Sequence, residues 1–216
     1  MGIRRAVTAL AAFALLTGCG GTNAKTSTDP ANDDPADPVM EQRLAVPQPR
    51  RPPPPGRPPS RAAGAGYARY FVAGALEYAM RSGFTADFRV DALSSARGRM
   101  LLQRIDSEYA KGHQVEMTPI YVDELRIDRG PFQVDSEGNI VHRRDPYGWW
   151  YWTVTVKYHV DELAIMDGDK KISAVQDVVF SDQLVVANGT KWRVPYWESK
   201  PSDPDVPILG GQPAAA

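Results

Sequence analysis

Apolar residues follow two different rhythms along this chain. Between Ala65 and Ser82, Tyr67, Phe71, Gly74 and Tyr78 fall on one helical face with Tyr70 beside them, and Gly83 stands where a left-handed residue ends a helix. A second helix is predicted from Ser94 or Ser95 to Lys111. Asp91, Ser94 and Ser95 each have N-cap chemistry, Leu101, Ile105 and Tyr109 form the apolar face with Met100 and Leu102 beside it, and Gly112 ends it. Phe84 to Leu93, between the helices, reads as a loop with a short helical turn.

After Gly112 the period drops to two. Ile120 and Val122 alternate, then Leu125 and Ile127 alternate one residue out of step, which predicts a bulge near Asp123-Glu124. Phe132–Val134 and Ile140–His142 read as a short hairpin around Ser136–Asn139. In the strongest strand, Trp150, Trp152, Val154, Val156, Tyr158 and Val160 share one face. Tyr151, Thr153, Thr155, Lys157, His159 and Asp161 share the other, so one face is expected to be buried and one wet. A turn at Asp167-Gly168-Asp169 leads to a strand from Ile172 to Phe180 and another from Gln183 to Ala187. Asn188-Gly189 then predicts a type I′ hairpin into Thr190–Trp197, with Pro195 at an edge or bulge. Helices followed by a run of strands give an α+β class, with N-terminal helices packed on a curved, bulged antiparallel sheet.

The flanks differ in composition. Residues 20–63 hold 11 of the 19 prolines and no aromatic residue, so they are expected to be disordered or polyproline-like. Such a segment serves as a tether, although its PxxP and arginine content also suits a partner or an anionic wall polymer. The domain plan is therefore 1–18, 19–63 as tether, 64–200 as the globular domain and 201–216 as a disordered tail. With Lys+Arg 25 against Asp+Glu 26 and no basic cluster, the chain is not a nucleic-acid binder.

Arg4 and Arg5 precede an apolar run, Ala6 to Leu16, that is too short to span a hydrocarbon core of about 30 Å. Leu15-Leu16-Thr17-Gly18-Cys19 follows, and Cys19 is the single cysteine. This segment resembles the signal peptide and lipobox of bacterial lipoproteins. The resemblance implies cleavage between Gly18 and Cys19 and a diacylglycerol on Cys19. It places the protein on the extracytoplasmic face of the cell membrane, with membrane lipid as its first partner. An acylated Cys19 leaves no thiol for a disulfide, a metal or a nucleophile.

Tyr147, Trp149, Trp150, Tyr151 and Trp152 crowd into six positions. They suit either core and covering roles or a stacking surface for a sugar ring, peptide or headgroup. The candidate acid–base groups are Tyr70, Tyr78, Tyr109 and Asp106 on helices and His142, His159 and Asp161 on strands. No spacing among them defines a catalytic set. His113, His142 and His159 are too scattered for zinc, and no metal or cofactor is expected.

Tyr67-Ala68-Arg69-Tyr70-Phe71-Val72-Ala73-Gly74-Ala75-Leu76-Glu77-Tyr78-Ala79, the Ile105…Tyr109-Ala110-Lys111-Gly112 helix end and the Trp192-Arg193-Val194 strand resemble a family of uncharacterised actinobacterial lipoproteins. The resemblance implies a nuclear transport factor 2-like cone over residues 64–198. Family members often carry two cysteines at the start of the second helix, and Ser94 to Arg99 has none. The expected function is a non-catalytic, membrane-anchored domain that binds an envelope protein or small ligand. The alternatives are a small isomerase, dehydratase or hydrolase using a Tyr or Asp/His in the cone, and a structural or assembly lipoprotein.

Overall fold

A computed structural model describes residues 43, 45–53, 59–141, 148–202 and 205–209. Gly18, Cys19, His142 and Tyr147 lie outside the described residues. The first helix starts at α1 (Arg61–Tyr70), whose N-cap Ser60 accepts a hydrogen bond from the Ala63 amide. It runs on through a π-helical stretch, Phe71–Leu76, into α2 (Glu77–Ser82), and Gly83 closes it at φ 72°. The π stretch changes the buried face. The predicted row through Gly74 and Tyr78 is only half-buried, whereas Tyr67, Phe71, Ala75 and Ala79 are buried, as are Ala68, Val72, Leu76 and Met80. Steps of four drift by about 40° each on a regular α-helix. The wider i→i+5 turn removes that drift and keeps both rows on the sheet.

The segment expected to be mostly loop contains α3 (Ala86–Ala92). Next, α4 (Ala96–Ala110) begins where predicted, with Ser95 accepting from the Gly98 amide, and buries Leu101, Leu102 and Ile105.

The sheet is open, antiparallel and five-stranded: β1 (Gln114–Met117), β2 (Tyr121–Phe132), β3 (Trp150–Asp167), β4 (Lys170–Asn188) and β5 (Trp192–Pro201). The order is β1-β3-β4-β5, and β2 pairs with the same edge of β3 as β1, further along that strand. The sequence did not announce the four-residue β1. The β2 bulge does fall between Val122 and Glu124. On β3 the predicted inward row, Trp150 to Val160, is buried throughout.

Three strand expectations need correction. Phe132 belongs to β2, and the predicted short hairpin reduces to a single Val134–Ile140 bridge closed by Asp135, which accepts from the Glu137 and Asn139 amides. The two strands expected on either side of Ser181-Asp182 are one 19-residue strand, β4. The side chains of Val178, Phe180, Asp182, Leu184 and Val186 all point inward, so the acid interrupts the apolar pattern without breaking the strand. Asn188 pairs with Trp192, so the connection is a three-residue loop, Gly189 to Lys191, rather than a two-residue type I′ turn. The register slips opposite Pro195, between Val185 and Ala187, which is the expected bulge and leaves Trp197 buried with Tyr196 exposed.

The helices cover one face of the sheet. Tyr67 stacks on Trp192 at 4.3 Å, Phe71 meets Trp197 edge-on at 5.0 Å, and Phe88 packs against both Phe71 and Trp197. Gly64 lets α1 approach Trp152, since a Cβ there would lie 2.6 Å from the indole. Parts of both flanks join this body. In the segment expected to be a frayed tail, Val206, Ile208 and Leu209 are buried, and Arg97 and Arg104 donate to the carbonyls of Leu209 and Ile208 at 2.7 and 2.9 Å. The Ile208-Leu209 pair, together with Val206, supplies the apolar contact. Residues 43 and 45–53, expected to be free tether, lie along the helices.

Candidate functional site

The aromatic cluster divides between core and surface. Trp150 and Trp152 are buried, which corrects their place in the candidate binding surface: their side chains lie on the inward row and face the helices. Tyr151 points the other way and stacks on Phe132 of β2, ring centroids 6.0 Å apart. Trp149, just before β3, is 38% exposed. Its ring lies over Gly189, where a Cβ would come within 2.6 Å of it. The glycine is therefore required by the indole.

Trp149 and Tyr151 line a shallow groove of about 190 Å³ with Ala187, Arg193 and Pro195. The sheet register builds this groove. Tyr151 pairs with Ala187, and Ala187 pairs with Arg193, so the three lie in one cross-strand row. Ala187 is small and forms the floor. The aromatic rings and the exposed Arg193 guanidinium form the walls. Flat aromatic faces beside a cation can stack on a planar group or sugar ring and hold an adjacent oxygen or anion. The sequence supplied Trp149 and Tyr151. Arg193 and Pro195 join them only through strand pairing.

The candidate acid–base residues are dispersed. Tyr70, the last residue of α1, is buried, and Tyr78 lies half-buried against Phe84. Tyr109 donates its hydroxyl to the Met80 carbonyl at 2.6 Å, and burial pushes its pKa up to about 12. Asp106 is exposed and paired with Arg89 at 2.6 Å. His159 and Asp161 do sit together at 3.6 Å, but the shorter partner of His159 is Asp123 at 2.8 Å, and both carboxylates are exposed. Tyr121 covers the imidazole at 5.1 Å. The Asp123 contact, aided by Asp161 and Asp177, holds the His159 pKa above its ordinary value. Among the described residues, no group of three or more His, Cys, Asp or Glu is placed to hold a metal.

Two buried polar clusters escaped the sequence reading. In one, Asp182 accepts from Tyr158 Oη at 3.0 Å and from Trp197 Nε1 at 2.7 Å, with the fully buried Arg97 stacked over the Trp197 ring at 5.2 Å. Burial raises the carboxyl pKa, and the Ser199 hydroxyl and the Arg97 charge pull it back in part. The signal was available: Asp182 falls on the inward row between Phe180 and Leu184. In the other, fully buried Asp91 binds Arg51 at 2.6 Å beside Tyr67. Burial again raises the carboxyl pKa, against the opposing pull of Tyr67 and Arg51. In the sequence Asp91 shows only N-cap chemistry.

The chain matches no protein-family model, no curated protein and no solved structure.

Proposed function

We propose that this chain is a lipid-anchored accessory domain of the cell envelope, held by an acylated Cys19, that binds a partner or small ligand through the groove of Trp149, Tyr151 and Arg193. The observation that carries the binding role is that groove: two aromatic side chains and a guanidinium left on the outer face of a sheet whose other face is filled. A helix-covered, bulged antiparallel sheet is also what a nuclear transport factor 2-like cone requires, and we read the domain as such a cone with its interior packed by Tyr67, Phe71, Trp152, Trp192 and Trp197. The packed interior favours binding at the surface over chemistry in a pocket, because the candidate acid–base groups do not converge on a described cavity.

The anchor is supported by the order of basic residues, apolar run and Leu-Leu-Thr-Gly-Cys in residues 1–19. Two acyl chains on Cys19 would hold the protein stably where one would be marginal. The test is the intact mass of membrane-extracted protein beside a Cys19→Ala variant, with fractionation. Loss of residues 1–18 plus a diacylglyceryl mass, with the variant released, is expected. An unmodified soluble protein would overturn the anchor. Binding is tested separately by pull-down from envelope extracts with Trp149→Ala and Tyr151→Ala. Every captured partner surviving both changes would end the groove reading.

A further inference from the structure

Residues 43 and 45–53, part of the proline-rich segment, cross the helices through discrete polar anchors. Arg43 lies between two rings, its guanidinium 5.0 Å from the Phe84 centroid and 4.8 Å from that of Tyr109. Its Nε donates at 2.6 Å to the carbonyl of Ser82, at the C-terminal end of α2, where free carbonyls and the helix dipole favour a cation. Gln48 donates to Asp87 at 2.7 Å. Pro49 packs on Gly74, where even a Cβ would come within 3.2 Å of the proline ring. Arg51 then reaches Asp91 at 2.6 Å and lies 5.8 Å from the Tyr70 ring. The segment thus runs antiparallel to the first helix, with an arginine anchor at each end and a proline seated between them.

Each anchor meets a feature of the helical body that suits an extended Arg/Pro peptide. Aromatic walls receive the cation at one end and a small-residue notch receives the proline ring. At the other end a carboxylate with no exposed surface receives the second guanidinium. Asp91 depends on a cation delivered from 40 residues earlier in the chain. Yet the segment is not merged with the core. The Arg51 side chain remains 32% exposed, and a cleft of about 300 Å³ lined by Arg43, Val46, Arg81, Gln114 and Glu116 stays open beside the segment.

We propose that the face of the helices between Phe84/Tyr109 and Asp91/Tyr70 is a recognition groove for an extended peptide bearing two arginines eight positions apart around a proline, and that the chain's own residues 43–53 occupy it as a displaceable intramolecular ligand. Docked, the segment covers the groove; released, it exposes the aromatic walls, Gly74 and Asp91. This reading does not depend on the lipid anchor or on the Trp149 groove.

The test uses the full chain. Trypsin cleavage after Arg43 and Arg50 is followed in wild type, Arg51→Ala and Asp91→Asn, with melting curves for all three. Arg51→Ala lies outside the helix–sheet body and keeps the test valid if Asp91→Asn fails to fold. A fluorescent peptide of residues 43–53 is then titrated into wild type and Arg51→Ala. We expect cleavage after Arg43 to rise at least tenfold in Arg51→Ala, and the peptide to bind that variant at least tenfold more tightly than wild type, whose groove is filled. Unchanged cleavage in Arg51→Ala, or equal peptide binding to both proteins, would overturn the proposal. Protection that grows with protein concentration would assign the occupant to a second copy and overturn the intramolecular form.

Discussion

The indole Nε1 of Trp197 donates to Asp182 Oδ2 at 2.7 Å inside the core, and the Tyr158 hydroxyl donates to the same oxygen at 3.0 Å. A carboxyl on the inward row of β4 is therefore held by groups from β3 and β5, its two neighbouring strands. The cluster ties three strands at one level of the sheet. Removing the acceptor strands two buried donors, and each buried donor left unpaired costs about 1–3 kcal/mol. Asp182→Ala is expected to lose about 3 kcal/mol or more in urea denaturation. A loss below about 1 kcal/mol would show that the cluster is incidental to stability.

The same residue sets a pH dependence with a definite sign. Burial raises the Asp182 pKa above its ordinary 3.8 despite the opposing hydrogen bonds. The native state therefore holds this proton at pH values where the unfolded chain has released it. The resulting contribution to stability is full below about 3.8 and is lost as pH rises through the native pKa. Asp91 is shifted in the same sense, so a comparison with Asp182→Asn isolates the effect. The stability of wild type minus that of Asp182→Asn should fall as pH is raised from about 3.5. A difference that stays flat or rises would contradict the assignment.

Local signals read correctly where one residue decided the structure. Ser95 caps α4, Gly83 ends α2 in the left-handed region, and Asp123 sits at the β2 bulge. The strict alternation from Trp150 to Val160 gave the buried face of β3. The failures share a cause, namely partners distant in sequence. Asp182 looked like a strand break because Tyr158 and Trp197, which satisfy it, lie on other strands. Asn188-Gly189 looked like a two-residue turn because nothing local shows that Trp149 needs the space above Gly189. The π stretch was invisible because Phe71 to Leu76 is ordinary helix composition, and the shift arises from matching both rows to the sheet. Two of the five groove residues were legible: Trp149 and Tyr151 stood out by density, whereas Ala187, Arg193 and Pro195 enter through register alone.

Two glycines test how tightly the helices are built. A Cβ on Gly98 would clash with the Ala92 carbonyl oxygen, which is backbone and cannot rotate away. Gly98→Ala should force α3 and α4 apart and cost about 3 kcal/mol, at the upper end for overpacking. Gly66 is exposed on α1, and a Cβ there meets nothing within 4 Å. Gly66→Ala should stabilise by about 0.5–1 kcal/mol, as alanine does in an open helix interior. Thermal melts of the pair should move in opposite directions, and a shared direction would refute this packing.

His159 offers a reading of the outer face of the sheet by NMR. Its Nδ1 lies 2.8 Å from Asp123, and Asp161 and Asp177 add to the attraction for the imidazolium. Its pKa should titrate above 6.5, and Asp123→Asn should bring it down towards that value. Because the native pKa is raised, the contribution of this group is full below about 6.5 and is lost as pH rises through the native value. An imidazole that titrates at or below 6.5 in the native protein would place Asp123 and Tyr121 elsewhere.

The tryptophans separate the surface role from the core role. Trp152 is fully buried, with its Nε1 donating to the Ser60 carbonyl at 3.2 Å and its ring touching the start of α1. Trp152→Ala should therefore cost about 3–5 kcal/mol, the usual range for emptying a large aromatic site in a core. Trp149 is more exposed and rests on Gly189, so Trp149→Ala should cost about 1 kcal/mol or less while removing one wall of the groove. Denaturation curves for the two variants, measured beside the fluorescence change of the wild-type groove on adding an envelope partner, give the contrast. If Trp149→Ala destabilises the fold as strongly as Trp152→Ala, the indole is a structural cover over the Gly189 loop. The groove then has no rigid wall with which to bind.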